Sequence, residues 1–245
     1  MREPAELPFR KVDLHVHTPR SACYSDASTT SEEIVDAALA AGLEAIAVTD
    51  HNTVEGIEDV RRAAAAKGLT VFPGIELSTS GGHILALFPP DMPIGELRDF
   101  LDFAGVDREG WGDAITRADG DTEDVLRKVS ERGGLAIAAH IERWPSGFLE
   151  TNEPRQVKRA IHGSDHLCAL EITVPQSKAL WNAGEVRGYP KPYACIQGSD
   201  AHAVEDIGRR PVHVRMGEIT LEALCSALRA HKTALAFPGE LCRCD

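Results

Sequence analysis

Five of the ten histidines in this chain stand at or just past the ends of apolar, strand-like runs. The first pair, His15 and His17, ends the run at residues 12–17, and alternate side chains of a strand point to the same face. Two imidazoles on one face at the end of a strand are half of a metal site. The same pattern recurs in TDHN at 49–52, GIE at 74–76, AAH at 138–140 and GSDAH at 198–202. This repetition predicts a metalloenzyme.

The elements that must position these residues alternate between two periodicities. Apolar runs predict strands at 12–17, 45–49, 69–77, 83–88, 135–139, 167–173, 194–197 and 212–216. Helical spacing predicts helices at 55–67, 94–103, 121–132, 154–161 and 221–228, and a further one that begins at a Thr30–Glu33 capping box and stops at Gly42. The βα alternation predicts an α/β protein, with a parallel sheet closed into a TIM-like barrel within a single domain, residues 1–245.

In such barrels the chemistry lies at the carboxyl ends of the strands. Most of the motif residues fall at such ends, and core histidines would have no reason to concentrate there: His15, His17, His51, Glu76, His140, Asp200 and His202. His83 begins a strand instead. We expect the strands at 69–77 and 83–88 to be antiparallel or tightly joined, so that His83 reaches the same rim.

Composition limits the class of partner. The chain has 38 acidic and 26 basic residues and a net charge of −12, which favours solubility and disfavours nucleic acid as a partner. No apolar run is long enough to span a membrane, and residues 1–10 have no apolar signal core, so we expect a cytoplasmic protein. Free thiols are expected for the six cysteines, with Cys195 in the core and the Cys242/Cys244 pair in a frayed tail.

Taken together, the motifs HxH, TDHN, GIE, a histidine after Gly-Gly, AAH and GSDAH resemble those of the polymerase and histidinol phosphatase (PHP) superfamily, over roughly residues 11–210. The resemblance implies a distorted (β/α)7 barrel that holds two or three divalent ions: Zn, Mn or Fe. The implied ligand sets are His15, His17, Glu76 and Asp200 for site one; Glu76, His83 and His140 for site two; and His51, His202 and Asp26 for site three. Asp26 precedes Ala27, where many relatives have glycine.

The activity implied is phosphoester hydrolysis by a metal-bridged water, with Glu76, Asp200 and His202 as catalytic residues. The proton relay is either Asp200 or a histidine near the leaving oxygen, and the sequence does not decide between them. Arg20, Arg143 and Arg209 are the candidates for binding the substrate phosphate. Asp50 is expected to support a histidine without binding metal itself.

The sequence is compatible with three functions. The first is hydrolysis of small phosphomonoesters, with nucleotides or nucleoside bisphosphates favoured. The second is a nuclease that acts on ends or single strands and works with an ATPase or polymerase partner. The third is a barrel that binds metal without catalysis. Trp144 and Phe148 could stack on a base or sugar, but we expect both to cover the core, and we expect His162 to be solvated or to cap a helix.

Overall fold

Strands and helices alternate along the computed structural model, which describes residues 7–241. The strands are β1 Phe9–Val16, β2 Ala45–Val48, β3 Thr70–Thr79, β4 Gly82–Leu87, β5 Leu135–Ala138, β6 Leu167–Glu171, β7 Ala194–Ile196, β8 Val212–Arg215 and β9 Leu235–Ala236. The helices are α1 Ser31–Ala40, α2 Ile57–Ala65, α3 Ile94–Ala104, α4 Thr122–Glu131, α5 Arg155–Gly163, α6 Lys178–Ala183, α7 Leu221–Arg229 and α8 His231–Ala234. Cys242 and Cys244 lie outside the described residues.

The predicted elements are confirmed to within a few residues, and the start of α1 shows why. Thr30 accepts a hydrogen bond from the backbone N–H of Glu33 at 3.2 Å, and the Glu33 carboxylate accepts from the N–H of Thr30 at 2.8 Å. This capping box satisfies two backbone donors that the first turn would otherwise leave unpaired. Helices α6 and α8 are short and were not predicted.

The sheet is mixed, so the prediction of a parallel sheet is wrong for part of it. The strands follow the order β7-β6-β5-β4-β3-β2-β1-β8-β9, and β4 is antiparallel to both β3 and β5. A parallel pair needs a crossover of a dozen or more residues, and only Ser80 and Gly81 separate β3 from β4. Because β4 runs in reverse, His83 at its start pairs with Ser78 near the carboxyl end of β3. The expectation that His83 reaches this rim is therefore confirmed.

The sheet curves into a nearly closed, distorted barrel, as the resemblance implied. The backbone N–H of His17 donates to the carbonyl of Ala201 at 3.0 Å, which brings the segment after β7 beside β1. Side chains such as Leu14, Ile46 and Phe72 are fully buried in the core. Cys195 is buried as predicted, and the four cysteines of residues 7–241 are free thiols. Over the same residues, no helix has the length and apolar character needed to cross a membrane.

His162 is not solvated, contrary to the prediction. Only 1% of its surface is exposed, and its ring packs among those of Trp181, Tyr189 and Tyr193. Helix α5 turns this residue inward, which the absence of a motif around it did not reveal. Burial, helped by the positive charge of Lys191, lowers the pKa of His162 to about 4.

Replacing His162 with phenylalanine should make the free energy of unfolding less dependent on pH below about 6.5. The unfolded chain takes up a proton near pH 6.5, whereas the folded protein resists protonation down to about pH 4. The contribution of the neutral ring to stability is therefore present above pH 6.5 and is lost as the pH falls toward 4. Between pH 7.5 and 4.5, the free energy of unfolding measured with urea should fall by about 2 kcal/mol more in the wild type than in His162→Phe. Equal losses in the two proteins would contradict this assignment.

Candidate metal centre

Glu76, near the middle of β3, is fully buried and lies at the centre of a histidine cluster. Its Oε2 atom is within 3.2 Å of three imidazole nitrogens, and its Oε1 atom is 2.8 Å from two more. The contacts to Oε2 come from His15 Nε2, His17 Nε2 and His51 Nδ1, and those to Oε1 come from His83 Nδ1 and His140 Nε2. Five imidazoles from four segments of the chain thus converge on one carboxylate.

Asp200 supplies a second carboxylate to the same cluster. Its Oδ1 atom is 3.2 Å from His17 Nε2 and 3.3 Å from His15 Nε2. The ligand atoms of His15, His17, Glu76 and Asp200 all lie within 4.8 Å of one another, so the structure brings together the four residues predicted for site one.

Hydrogen bonds fix which ring nitrogens face the carboxylates. His15 Nδ1 is 2.9 Å from the Glu171 carboxylate, which only accepts, so Nδ1 carries a proton. His17 Nδ1 is 2.9 Å from Ser21 Oγ, whose own proton goes to Asp50 at 2.7 Å. If both rings are neutral, their Nε2 atoms, which are 3.1 Å apart, direct lone pairs at each other and at two carboxylate oxygens. Such an arrangement calls for a positive charge between them.

The pKa shifts of the cluster residues also indicate that a positive charge is favoured between these atoms. Burial opposes a charge on His15, but Glu171 and Glu76 together raise its pKa to about 10. Burial would raise the pKa of Glu76, yet the surrounding histidines hold it well below the usual range of a glutamate. Burial lowers the pKa of His51 and of His202 to about 3, so both rings are neutral near pH 7 and have lone pairs to offer. A metal ion can take the place of a proton on such nitrogens.

The residues predicted for sites two and three are brought together less completely. His83 and His140 share Glu76 Oε1, as expected for site two, and the ligand atoms of His51, Glu76 and His83 also lie within 4.8 Å of one another. At site three, the group within 4.8 Å consists of His17, His51 and His202. Asp26 is not in that group.

Asp26 lies in an exposed turn where its carboxylate accepts hydrogen bonds from the backbone and hydroxyl of Ser28, at 2.9 and 2.6 Å. These bonds lower the pKa of Asp26. The turn is tied to the cluster nearby, because the N–H of Ser25 donates to the carbonyl of His202 at 2.8 Å.

Of the three arginines predicted to bind phosphate, Arg143 alone contacts a residue of the cluster: its guanidinium pairs with the Asp200 carboxylate. Arg20 is exposed, and its Nη2 atom is 3.7 Å from Asp59 Oδ2. It lines a separate cavity. Arg209 pairs with Asp206.

Glu171, at the end of β6, is a further residue of the site and is not among the residues predicted from the sequence. Its Oε2 atom accepts from His15 Nδ1 and from the backbone N–H of His140, both at 2.9 Å, so it orients two histidines at once. A Cβ at Gly198 would lie 2.4 Å from Glu171 Oε1 and 2.6 Å from His15 Cβ, which explains the glycine of GSDAH. The signal was present in the sequence as a lone carboxylate ending an apolar strand.

Asp50 supports His17 through Ser21, in agreement with its predicted role, although the serine between them was not anticipated. The backbone is also unusual around the cluster. Within residues 7–241, the non-glycine residues with positive φ are Asn52, His140 and Asp200, at 52°, 29° and 51°. Such conformations are costly and concentrate at functional sites.

These residues fit a divalent metal. Zinc–nitrogen bonds of 2.0–2.1 Å place tetrahedral ligands about 3.3 Å apart, close to the spacing of the nitrogens and oxygens here. Mixed imidazole and carboxylate donors without thiolate suit Zn, Mn or Fe. The cluster can thus hold one ion at His15, His17, Glu76 and Asp200, and its other groups offer places for more.

Comparison with known proteins gives matches along most of the chain. A family model described as PHP domain matches residues 13–161, and one described as PHP-associated matches residues 191–233. An uncharacterized protein of Methanocaldococcus jannaschii is 30% identical over an alignment of 138 positions that covers 53% of this chain and 67% of that protein. A 3′,5′-nucleoside bisphosphate phosphatase of Chromobacterium violaceum is 35% identical over an alignment of 80 positions that covers 31% of this chain and 27% of that enzyme.

Among solved structures, the lesion-specific endonuclease EndoQ of Pyrococcus furiosus superposes with a TM-score of 0.68 at 16% identity. The superposition covers 91% of this chain and 56% of the endonuclease. At this identity the likeness shows a shared fold.

Proposed function

Because the chain belongs to the PHP domain family, whose characterised relatives hydrolyse phosphoester bonds, we propose that it is a metal-dependent phosphoesterase of small phosphomonoesters. Nucleotides and nucleoside bisphosphates are the favoured substrates. We also propose that the chain is organised as one PHP-type barrel domain.

One observation carries the proposal: five imidazole nitrogens lie within 3.2 Å of the oxygens of a single buried carboxylate. We assign two or three divalent ions, Zn, Mn or Fe, to this cluster. The ligands are His15, His17, Glu76 and Asp200 for the first ion, with His83, His140, His51 and His202 completing the others. Bound there, the ions would polarise the phosphoryl oxygens and lower the pKa of water.

The side chains around the cluster have separate tasks. Arg143 contacts Asp200 of the cluster, and its guanidinium suits a phosphate that replaces this contact. His202 donates from Nδ1 to the carbonyl of Asp200 at 2.9 Å, which leaves the lone pair on Nε2. With 27% of its side chain exposed, His202 would use this lone pair to take up a proton near the leaving oxygen when two ions are bound, and to hold the third ion when three are bound.

The charge of the chain favours a small substrate over a nucleic acid. The net charge is −12, and Arg127 and Lys128 on α4 are paired with Asp124 and Glu131. A polyanion would meet few unpaired cations there. The shared fold with an endonuclease does not alter this balance.

The test is hydrolysis of a phosphate panel by protein supplied with Mn. The panel contains an aryl phosphomonoester, an aryl phosphodiester, nucleotides, a nucleoside bisphosphate and single-stranded DNA, with a folded His17→Ala variant as control. We expect turnover of monoesters that the variant lacks. Cleavage of the diester or DNA alone would replace the proposal with a nuclease, and metal binding without any turnover would replace it with a binding role.

A further inference from the structure

A cavity of about 500 Å³ lies beside the cluster and shares His83 with it. Three segments line the cavity: the β3–β4 hairpin at 78–83, a loop at 114–117 and a loop at 144–153. None of its other lining residues belongs to the proposed ligand sets. A group bound in this cavity would therefore be held next to the reacting phosphate without touching the ions.

Two large apolar side chains are strongly exposed on the walls of this cavity. Ile115 is 84% exposed and Trp144 is 76% exposed, the highest values among the large hydrophobic residues at 7–241. The prediction that Trp144 covers the core is thus wrong, whereas Phe148 is buried as expected. Single exposed apolar residues are common, but two that face one cavity are typical of a binding site.

The loop that carries Ile115 is firmly attached to the rim. Asn52, which follows His51, donates to the carbonyls of Asp113 and Thr116 at 2.7 Å each. Ser78 on β3 donates to the carbonyl of Ala114 at 2.8 Å. The exposure of Ile115 is therefore imposed by hydrogen bonds to residues beside the cluster and does not come from a loose loop.

The opposite wall is held in the same way. The N–H of His83 donates to the carbonyl of Ser146 at 2.9 Å, and a Cβ at Gly82 would lie 2.7 Å from that same oxygen. This loop also places Arg143 against Asp200. Neighbouring side chains of one loop thus point to different places: Arg143 contacts the cluster, and Trp144 lines the cavity.

The charges in the cavity do not suit a second phosphate. Arg117 is accompanied by two carboxylates, those of Glu150 and Glu153. Ser78 and Thr79 add hydroxyl groups to the lining. An uncharged, planar group with hydrogen-bond donors matches this combination, because it can stack on the indole while its donors reach the carboxylates.

We propose that this cavity binds the nucleobase of a nucleoside phosphomonoester, stacked on Trp144 and flanked by Ile115. The position of the phosphate rests on the function proposed above, whereas the recognition of the base rests on the cavity alone. Stacking on an aromatic side chain tolerates different bases, so the cavity should select for a nucleoside more strongly than for a particular base.

The test compares two substrates that share a phosphate, adenosine 5′-monophosphate and ribose 5-phosphate, in the presence of Mn. We expect Trp144→Ala to raise the KM for the nucleotide on the order of tenfold while leaving ribose 5-phosphate unchanged. Trp144→Phe should restore most of the affinity. Leu180→Ala, which shortens a 48% exposed side chain on α6, is the matched control and should alter neither substrate.

Adenosine, which has no phosphate, separates this inference from the function. Saturation-transfer NMR should show adenosine binding to the wild type and to Leu180→Ala but not to Trp144→Ala, even if no phosphoester is hydrolysed. Equal changes in KM for both substrates, or adenosine binding that is independent of Trp144, would overturn the inference while leaving the phosphoesterase intact.

Discussion

Glu76→Gln should lower kcat/KM by roughly a thousandfold or more while the protein stays folded. Glutamine has the shape of glutamate, so the five imidazoles keep a neighbour of the same size. The variant loses the negative charge that both carboxylate oxygens share, and an amide cannot bridge two cations. Metal content should fall together with activity, and both are measured on the same preparation by elemental analysis and phosphate release.

Glu185→Gln, at an exposed position after α6, is the matched control and should retain wild-type activity and metal content. Full metal content and activity in Glu76→Gln would mean that the cluster around this carboxylate is a hydrogen-bonded core and that the reaction takes place elsewhere.

Glu171→Ala should weaken metal binding and kcat/KM by about 10- to 100-fold without removing a ligand. The substitution leaves His15 Nδ1 and the backbone N–H of His140 without their shared acceptor, both in a buried setting. His15 is then free to change tautomer and direct a proton, instead of a lone pair, at Glu76. Calorimetric titration of the metal-free protein with Mn measures the affinity directly.

Glu171→Gln tests whether the role of this residue is positioning. Its amide oxygen can accept both hydrogen bonds, so most of the metal affinity should return, with a remaining deficit from the lost charge. If the alanine and glutamine variants bind Mn equally well and as tightly as the wild type, Glu171 does not orient the histidines.

The local elements and most of the cluster could be predicted from the sequence because both follow from short-range rules. Strand alternation puts His15 and His17 on one face, and the carboxyl ends of barrel strands share one rim. The proximity of Glu76 to His140, which is 64 residues distant in sequence, needed only that shared rim. A two-residue turn after Thr79 determined the reversal of β4, although the βα alternation suggested a parallel sheet.

What the sequence could not predict depends on side chains packing across long distances. Glu171 orients His15 from 156 residues away, and nothing in its neighbours on β6 specifies that pairing. Arg143, Arg20 and Arg209 looked equivalent as cations near strand ends, yet their partners in the fold differ. The exposure of Trp144 likewise arises from the way its loop packs on the hairpin.

The most direct measurement is anomalous X-ray diffraction from crystals of the protein that has been stripped with a chelator and reloaded with Mn. The phosphoesterase proposal predicts at least two anomalous peaks next to Glu76, each about 2.0–2.3 Å from one of its oxygens and from an imidazole nitrogen. The absence of any anomalous peak in the cluster, with the imidazoles hydrogen-bonded to the Glu76 carboxylate, would contradict the phosphoesterase proposal.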